Sequence, residues 1–134
     1  MLLSKILVLV VGALLALNFL TGCMSDAAVG ATEHGYASWY SEKDGIHTAS
    51  GERFYDGELT AAHRHLPFGT MVRVTNEQNG KSVEVRINDR GPWTGGGRII
   101  DVSSAAADQL DMKRAGIVPV EIEILALGSG SRPE

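Results

Sequence analysis

The sequence predicts a small, mainly β barrel with one short helix, and three observations carry that prediction. Apolar and polar residues alternate over three separate stretches, an Asn-Gly turn joins the first two, and a single alanine-rich segment reads as helical. In chain order, Tyr36–Tyr40 (YASWY) is a short strand candidate. In Thr70–Asn76, Val72 and Val74 alternate with Met71, Arg73 and Thr75. In Ser82–Asn88, Val83, Val85 and Ile87 alternate with Glu84 and Arg86, and Glu77-Gln78-Asn79-Gly80 between them suits a hairpin. Arg98–Ile100 is a second short strand candidate. Ser103–Leu110 follows as the helix, with Ser103 or Ser104 as cap and three alanines after it. In Ile117–Leu125, Val118, Val120, Ile122 and Ile124 alternate with Glu121 and Glu123. Strands patterned this way each keep one wet face, which suits a small barrel.

The ends read differently. Met1–Lys5 is a short basic start, and Ile6–Leu20 is an almost unbroken apolar run, shorter than the roughly 20 residues of a membrane span. It ends in Leu20-Thr21-Gly22-Cys23, which resembles a bacterial lipobox. On that resemblance residues 1–22 are a signal peptide and Cys23 is acylated. Met24 in place of an aspartate then implies the outer membrane, with the protein facing the periplasm. Cys23 is the only cysteine, so no disulfide is expected and core burial alone must hold the fold. Residues 23–34 read as a tether, 35–126 as one domain and 127–134 as a flexible tail. The formal charge of −4 argues against nucleic acid or anionic lipid as a partner.

Four stretches are richer in special residues than strand building requires: Gly35–Tyr40 (GYASWY), Thr48–Phe54 (TASGERF), Leu59–Thr70 (LTAAHRHLPFGT) and Val83–Ala105 (VEVRINDRGPWTGGGRIIDVSSA). Together they resemble the rare lipoprotein A (RlpA) family. The motifs GxASWY, TASGE, LTAAH, LPFGTxVxVTN, VxINDRGP and RIIDVS occur in order between Gly35 and Leu125. The resemblance implies a six-stranded double-psi β-barrel related to barwin and expansins. It also implies endolytic lytic transglycosylase activity on peptidoglycan glycan strands, preferably those lacking stem peptides. The alternative it leaves open is a non-catalytic, expansin-like wall-binding lipoprotein.

Such a reaction needs a carboxylic acid to protonate the glycosidic oxygen, and a base to take the proton of the attacking C6 hydroxyl. One carboxyl can serve in both steps. The resemblance puts the site acid on Glu52, whose neighbours Phe54 and Tyr55 would raise its pKa. It assigns His63 as an orienting or proton-shuttling group and Asp89 as the second carboxylate; Asp101 ranks beside Asp89. By local chemistry alone Glu52 could equally be a solvated loop residue and His63 structural. Likewise Asp89 could stabilise a turn and Asp101 could support the helix start. Trp39, Tyr40 and Trp93, with Arg90, are substrate-binding candidates; for the aromatics, core packing is the competing use.

The sequence departs from the family at Tyr55, where an aspartate is usual; here the aspartate is Asp56. Gly95-Gly96-Gly97 lacks the spacing of a phosphate loop. His47, His63 and His65 make no complete ligand set, so no metal and no cofactor are expected. The expected partners are glycan strands and a membrane reached through Cys23, with the protein monomeric. Members of the family often add a glycan-binding C-terminal domain; without one, the expectation is weak, salt-tolerant binding and a lipid-directed distribution.

Overall fold

The structure is a computed structural model that describes residues 28–131. The expected signal peptide and Cys23 lie outside the described residues. Six strands close into a barrel: β1 (Thr32–Tyr40), β2 (Thr60–Ala62), β3 (Met71–Asn76), β4 (Ser82–Asp89), β5 (Arg98–Ser103) and β6 (Val118–Ala126). Their order around the barrel is β1-β5-β2-β4-β3-β6, and the pairs β1·β5 and β2·β4 run parallel while the rest are antiparallel. These two parallel pairs are the crossings of the expected double-psi barrel. One helix, α1 (Ser104–Gln109), follows β5, and a single 3-10 turn covers Glu42–Asp44.

The alternating stretches behave as their pattern dictates. Val72, Val74, Val83, Val85, Ile87, Val118, Val120 and Ile122 are buried in one cluster, while Glu84 and Glu123 stay on the wet face. Each such aliphatic side chain contributes about 1.5–3 kcal/mol on burial. Ser103 caps the helix, its Oγ accepting from Ala106 N at 3.3 Å. At the other end Asn76 and Asn79 each donate a side-chain N–H to Leu110 O at 3.0 Å, so the hairpin turn also holds the carbonyl that closes α1.

Three boundaries and one whole strand, β2, differ from the pattern reading, each for a physical reason. β1 starts at Thr32 rather than Tyr36, because Thr32, Glu33 and His34 pair through the backbone with Glu123, Ile122 and Glu121 of β6 while their side chains stay exposed. β2 carries no alternation because all three of its residues are buried between β4 and β5. β5 continues to Ser103, through the aspartate of its motif. The segment after β6 is bonded as far as Gly130: Gly128 N donates to Thr70 Oγ1 and Gly130 N to Phe68 O, both at 3.0 Å.

Gly35 answers a packing demand where β1 bulges against β5. A Cβ there would lie 2.6 Å from Ile99 Cγ2 and 2.8 Å from the Gly97 carbonyl oxygen. The β1·β5 crossing thus depends on a missing side chain.

Candidate functional site

Three registers assemble a row at one rim of the barrel. Ala62 on β2 pairs with Asp89 on β4 and with Asp101 on β5, and Asp101 pairs in turn with Ser38 on β1. The two aspartates are therefore two strand spacings apart, about 10 Å between Cα atoms. The glycine-rich loop between them carries the chain across the rim.

Asp101 is half-buried, and its carboxyl is pushed above the usual range, first by burial and then by the charge of Asp89; a Ser38 Oγ–H bond to Oδ1 and the Arg98 charge oppose the shift. Asp89 is held from two sides by backbone donors. Ala49 N donates to Oδ1 at 2.8 Å and Arg90 N at 2.9 Å. Tyr40 stacks on Phe54 with ring centroids 4.4 Å apart, and its buried hydroxyl makes no hydrogen bond of ordinary geometry among the described residues. Burial, then the charges of Asp89 and Asp101, push that hydroxyl far above its ordinary pKa. Asn88 is also buried, and its amide lies by the Glu52 carboxyl, where it helps favour the charged form of that group.

Glu52 is placed differently from expectation. The Thr48–Glu52 loop turns through Gly51 at φ +87°, a left-handed conformation that glycine adopts without strain. The turn delivers Glu52 to Arg86 on β4, which donates Nη1 to Oε2 at 2.7 Å and Nη2 to Oε1 at 2.6 Å. This two-pronged pair holds the Glu52 carboxyl below its usual pKa, against the upward push of burial. The apolar neighbours do not raise it: Tyr55 is exposed with the Arg53 guanidinium 4.3 Å from its ring, and the buried Phe54 serves Tyr40. Asp56, the aspartate displaced by one position, accepts from Glu42 N at 2.8 Å and lends its carbonyl to Ala105 N. It braces the 3-10 turn and the helix start.

His63 is buried and turned away from the row. Its Nδ1 accepts from His65 N and Leu66 N, both at 3.1 Å, so Nε2 carries the proton and donates to Glu33 at 3.1 Å. Glu33 precedes Ser38 by about 16 Å of extended β1. Burial lowers the pKa of His63, and Glu33 only partly offsets that. The ring lines a separate cleft of about 610 Å³ with Glu33, His65, Leu66, Ile122 and Ile124.

Arg90 is committed to structure. Its Nη1 donates to His63 O at 3.2 Å and Leu66 O at 2.8 Å, and its guanidinium lies 3.9 Å from the Phe68 ring centre. Trp39 packs partly buried on the core with the Lys113 ammonium 5.2 Å from its ring. Trp93, 74% exposed, is the aromatic candidate that faces solvent. Sequence reasoning missed Ser38, Arg86, Asn88 and Glu33 as partners; the signal for Arg86 and Asn88 lay in the motif before Asp89.

A family model described as lytic transglycolase matches residues 32–122. Among curated relatives, the chain is 58% identical over 94 residues to a probable endolytic peptidoglycan transglycosylase RlpA of Nostoc sp., covering 68% of this chain and 25% of that protein. It is 47% identical over 107 residues to the endolytic peptidoglycan transglycosylase RlpA of Campylobacter jejuni, covering 78% of this chain and 38% of that protein. The chain thus spans between a quarter and two-fifths of the length of these relatives. Among solved structures, a Clavibacter michiganensis expansin mutant in complex with cellohexaose superposes with a TM-score of 0.56 at 24% identity, covering 71% of this chain and 50% of that one, a likeness of fold. With its closed six-stranded barrel and the match over residues 32–122, the chain belongs to the RlpA family of double-psi barrels.

Proposed function

We propose that the protein is an endolytic lytic transglycosylase of peptidoglycan glycan strands, with Asp101 as its proton donor. The observation that carries this reading is the row Asp89–Ala62–Asp101–Ser38, in which one carboxyl is driven toward its protonated form beside another. Protonated Asp101 gives its proton to the glycosidic oxygen as the bond from the MurNAc C1 breaks. The C6 hydroxyl of the same sugar attacks C1, and the Asp101 carboxylate takes that hydroxyl proton, so the group ends as it began and no water is consumed. Asp89 is aimed by two backbone N–H groups and stabilises positive charge at C1. The exposed Trp93 supplies a face for a sugar ring. Glu52, paired with Arg86, remains ionised and buttresses the loop whose Ala49 N–H orients Asp89.

The test is to incubate the full chain with purified sacculi stripped of stem peptides and analyse the products by mass spectrometry. The reading expects new 1,6-anhydro-MurNAc ends. Sedimentation with sacculi and no new ends would instead support a non-catalytic, expansin-like binder. Anchoring through acylated Cys23 in the outer membrane belongs to the same reading and rests on the lipobox resemblance of Leu20–Cys23. Metabolic labelling with a palmitate analogue checks it: wild type takes up label and fractionates with membranes, whereas Cys23→Ser does neither.

A further inference from the structure

On the outer face of β6, Glu121 and Glu123 stand at alternate positions. Glu123 is neutralised by its β3 register partner Arg73, which donates at 2.8 Å. Glu121 has no such cation. Its register partner on β1 is His34, and on β3 it faces Thr75. Just past β3, Glu77 brings a second carboxylate to the same spot. Glu77 Oε1 lies 2.7 Å from His34 Nδ1, and Glu121 Oε2 lies 3.4 Å from His34 Nε2. Among the described residues neither glutamate forms an ion pair with a lysine or an arginine.

We propose that His34, Glu77 and Glu121 form a binding site for a divalent cation of the zinc class. One ligand atom from each residue lies within 4.8 Å of the others. Bonds of about 2.0–2.1 Å around a tetrahedral zinc need donor atoms some 3.4 Å apart, a closure that rotation of exposed side chains supplies. The backbone beneath them is already set. His34 sits directly opposite Glu121 in the ladder, and Glu77 N donates to Pro119 O at 3.0 Å, fixing the third donor beside β6. Two carboxylates converging on a single imidazole leave negative charge that a dication neutralises. The imidazole nitrogen favours zinc, copper and nickel over magnesium and calcium, which prefer all-oxygen sites. The three side chains are 62%, 41% and 42% exposed, so water can complete the coordination. A bound ion ties β1 to β6 and to the end of β3, one residue from Glu33 and its bond to His63.

The experiment is calorimetric titration of the full chain with zinc chloride near neutral pH, in wild type, His34→Ala and the double variant Glu77→Gln/Glu121→Gln. The proposal expects one equivalent bound by wild type, affinity lower by roughly tenfold or more in each variant, and no competition from excess magnesium. It also expects a higher melting temperature for wild type on adding zinc, an increase that is lost in the variants. No zinc binding by wild type would overturn it, reducing the trio to a hydrogen-bonded clamp. Binding unchanged in His34→Ala would also overturn it. A separate measurement does not depend on the variants: on adding zinc to wild type, the His34 ring resonances must shift first among the four histidines. A first shift at His47, His63 or His65 would contradict the assignment.

Discussion

The loop that carries Glu52 and the strand β5 that carries Asp101 each supply a carboxyl group that the sequence motifs single out. Their surroundings act in opposite senses. Glu52 meets a guanidinium that engages both of its oxygens, so its charged form is favoured. Asp101 meets burial, which outweighs the opposing Ser38 hydrogen bond and Arg98 charge, with the charge of Asp89 adding a smaller push, so its pKa is shifted upward. The difference teaches that the acid of a two-carboxylate site is chosen by what lies across the strands, not by neighbours along the chain. Phe54 and Tyr55 adjoin Glu52 in sequence, yet Arg86, which determines its charge, is 34 residues away.

The largest expected effect comes from removing the proton donor. Asp101→Asn keeps the shape and the Ser38 contact and lowers turnover on stripped sacculi by about 10²–10⁴-fold, the usual range for a lost general acid. Glu52→Gln should fall well short of that loss; an equal loss would erase the contrast between the two groups. Next is the Glu52–Arg86 pair itself. Arg86→Met leaves Glu52 without its partner, and because Arg86 is 36% exposed, solvent screening limits the cost to about 1 kcal/mol, read as a lower denaturation midpoint. The same pair sets a pH dependence. Glu52's folded pKa is depressed, so its stabilising contribution is present above the ordinary glutamate value of about 4.3 and is lost as pH falls through the folded value. In Arg86→Met that acid-side loss of stability should shrink.

Two smaller effects sharpen the contrast. Ser38→Ala removes a hydrogen bond that favours the Asp101 carboxylate, so Asp101's pKa rises further. The alkaline limb of the pH–rate profile, along which the donor loses its proton, should therefore move to higher pH; an unmoved limb would separate Ser38 from the donor. Trp93→Ala, at a fully presented side chain, should weaken binding of glycan while leaving the melting temperature unchanged.

Much of this was legible in the chain. Alternation marked β3, β4 and β6 because each of those strands keeps one face in water. It could not mark β2, whose Thr60, Ala61 and Ala62 are buried throughout, nor the first residues of β1, whose side chains are exposed. The motifs located Asp89 and Asp101, and the registers through Ala62 explain why they share a rim. Orientation was not legible. His63 follows Ala62 in the chain, yet its ring turns to Glu33 because two backbone N–H groups hold Nδ1. Arg90 looks like a ligand-binding arginine until the carbonyls of His63 and Leu66 take up its guanidinium. The trio of His34, Glu77 and Glu121 was hidden for another reason: its members are spread over three strand neighbourhoods, with His34 and Glu77 43 residues apart.

Carbon-13 NMR titration of the carboxyl groups tests the central claim most directly, because it reads both groups in one sample of the full chain without substituting either. The account predicts that Asp101 titrates above the ordinary aspartate value of about 3.9 and Glu52 below the ordinary glutamate value of about 4.3. The opposite order, with Glu52 titrating high and Asp101 low, would contradict it and return the role of acid to Glu52.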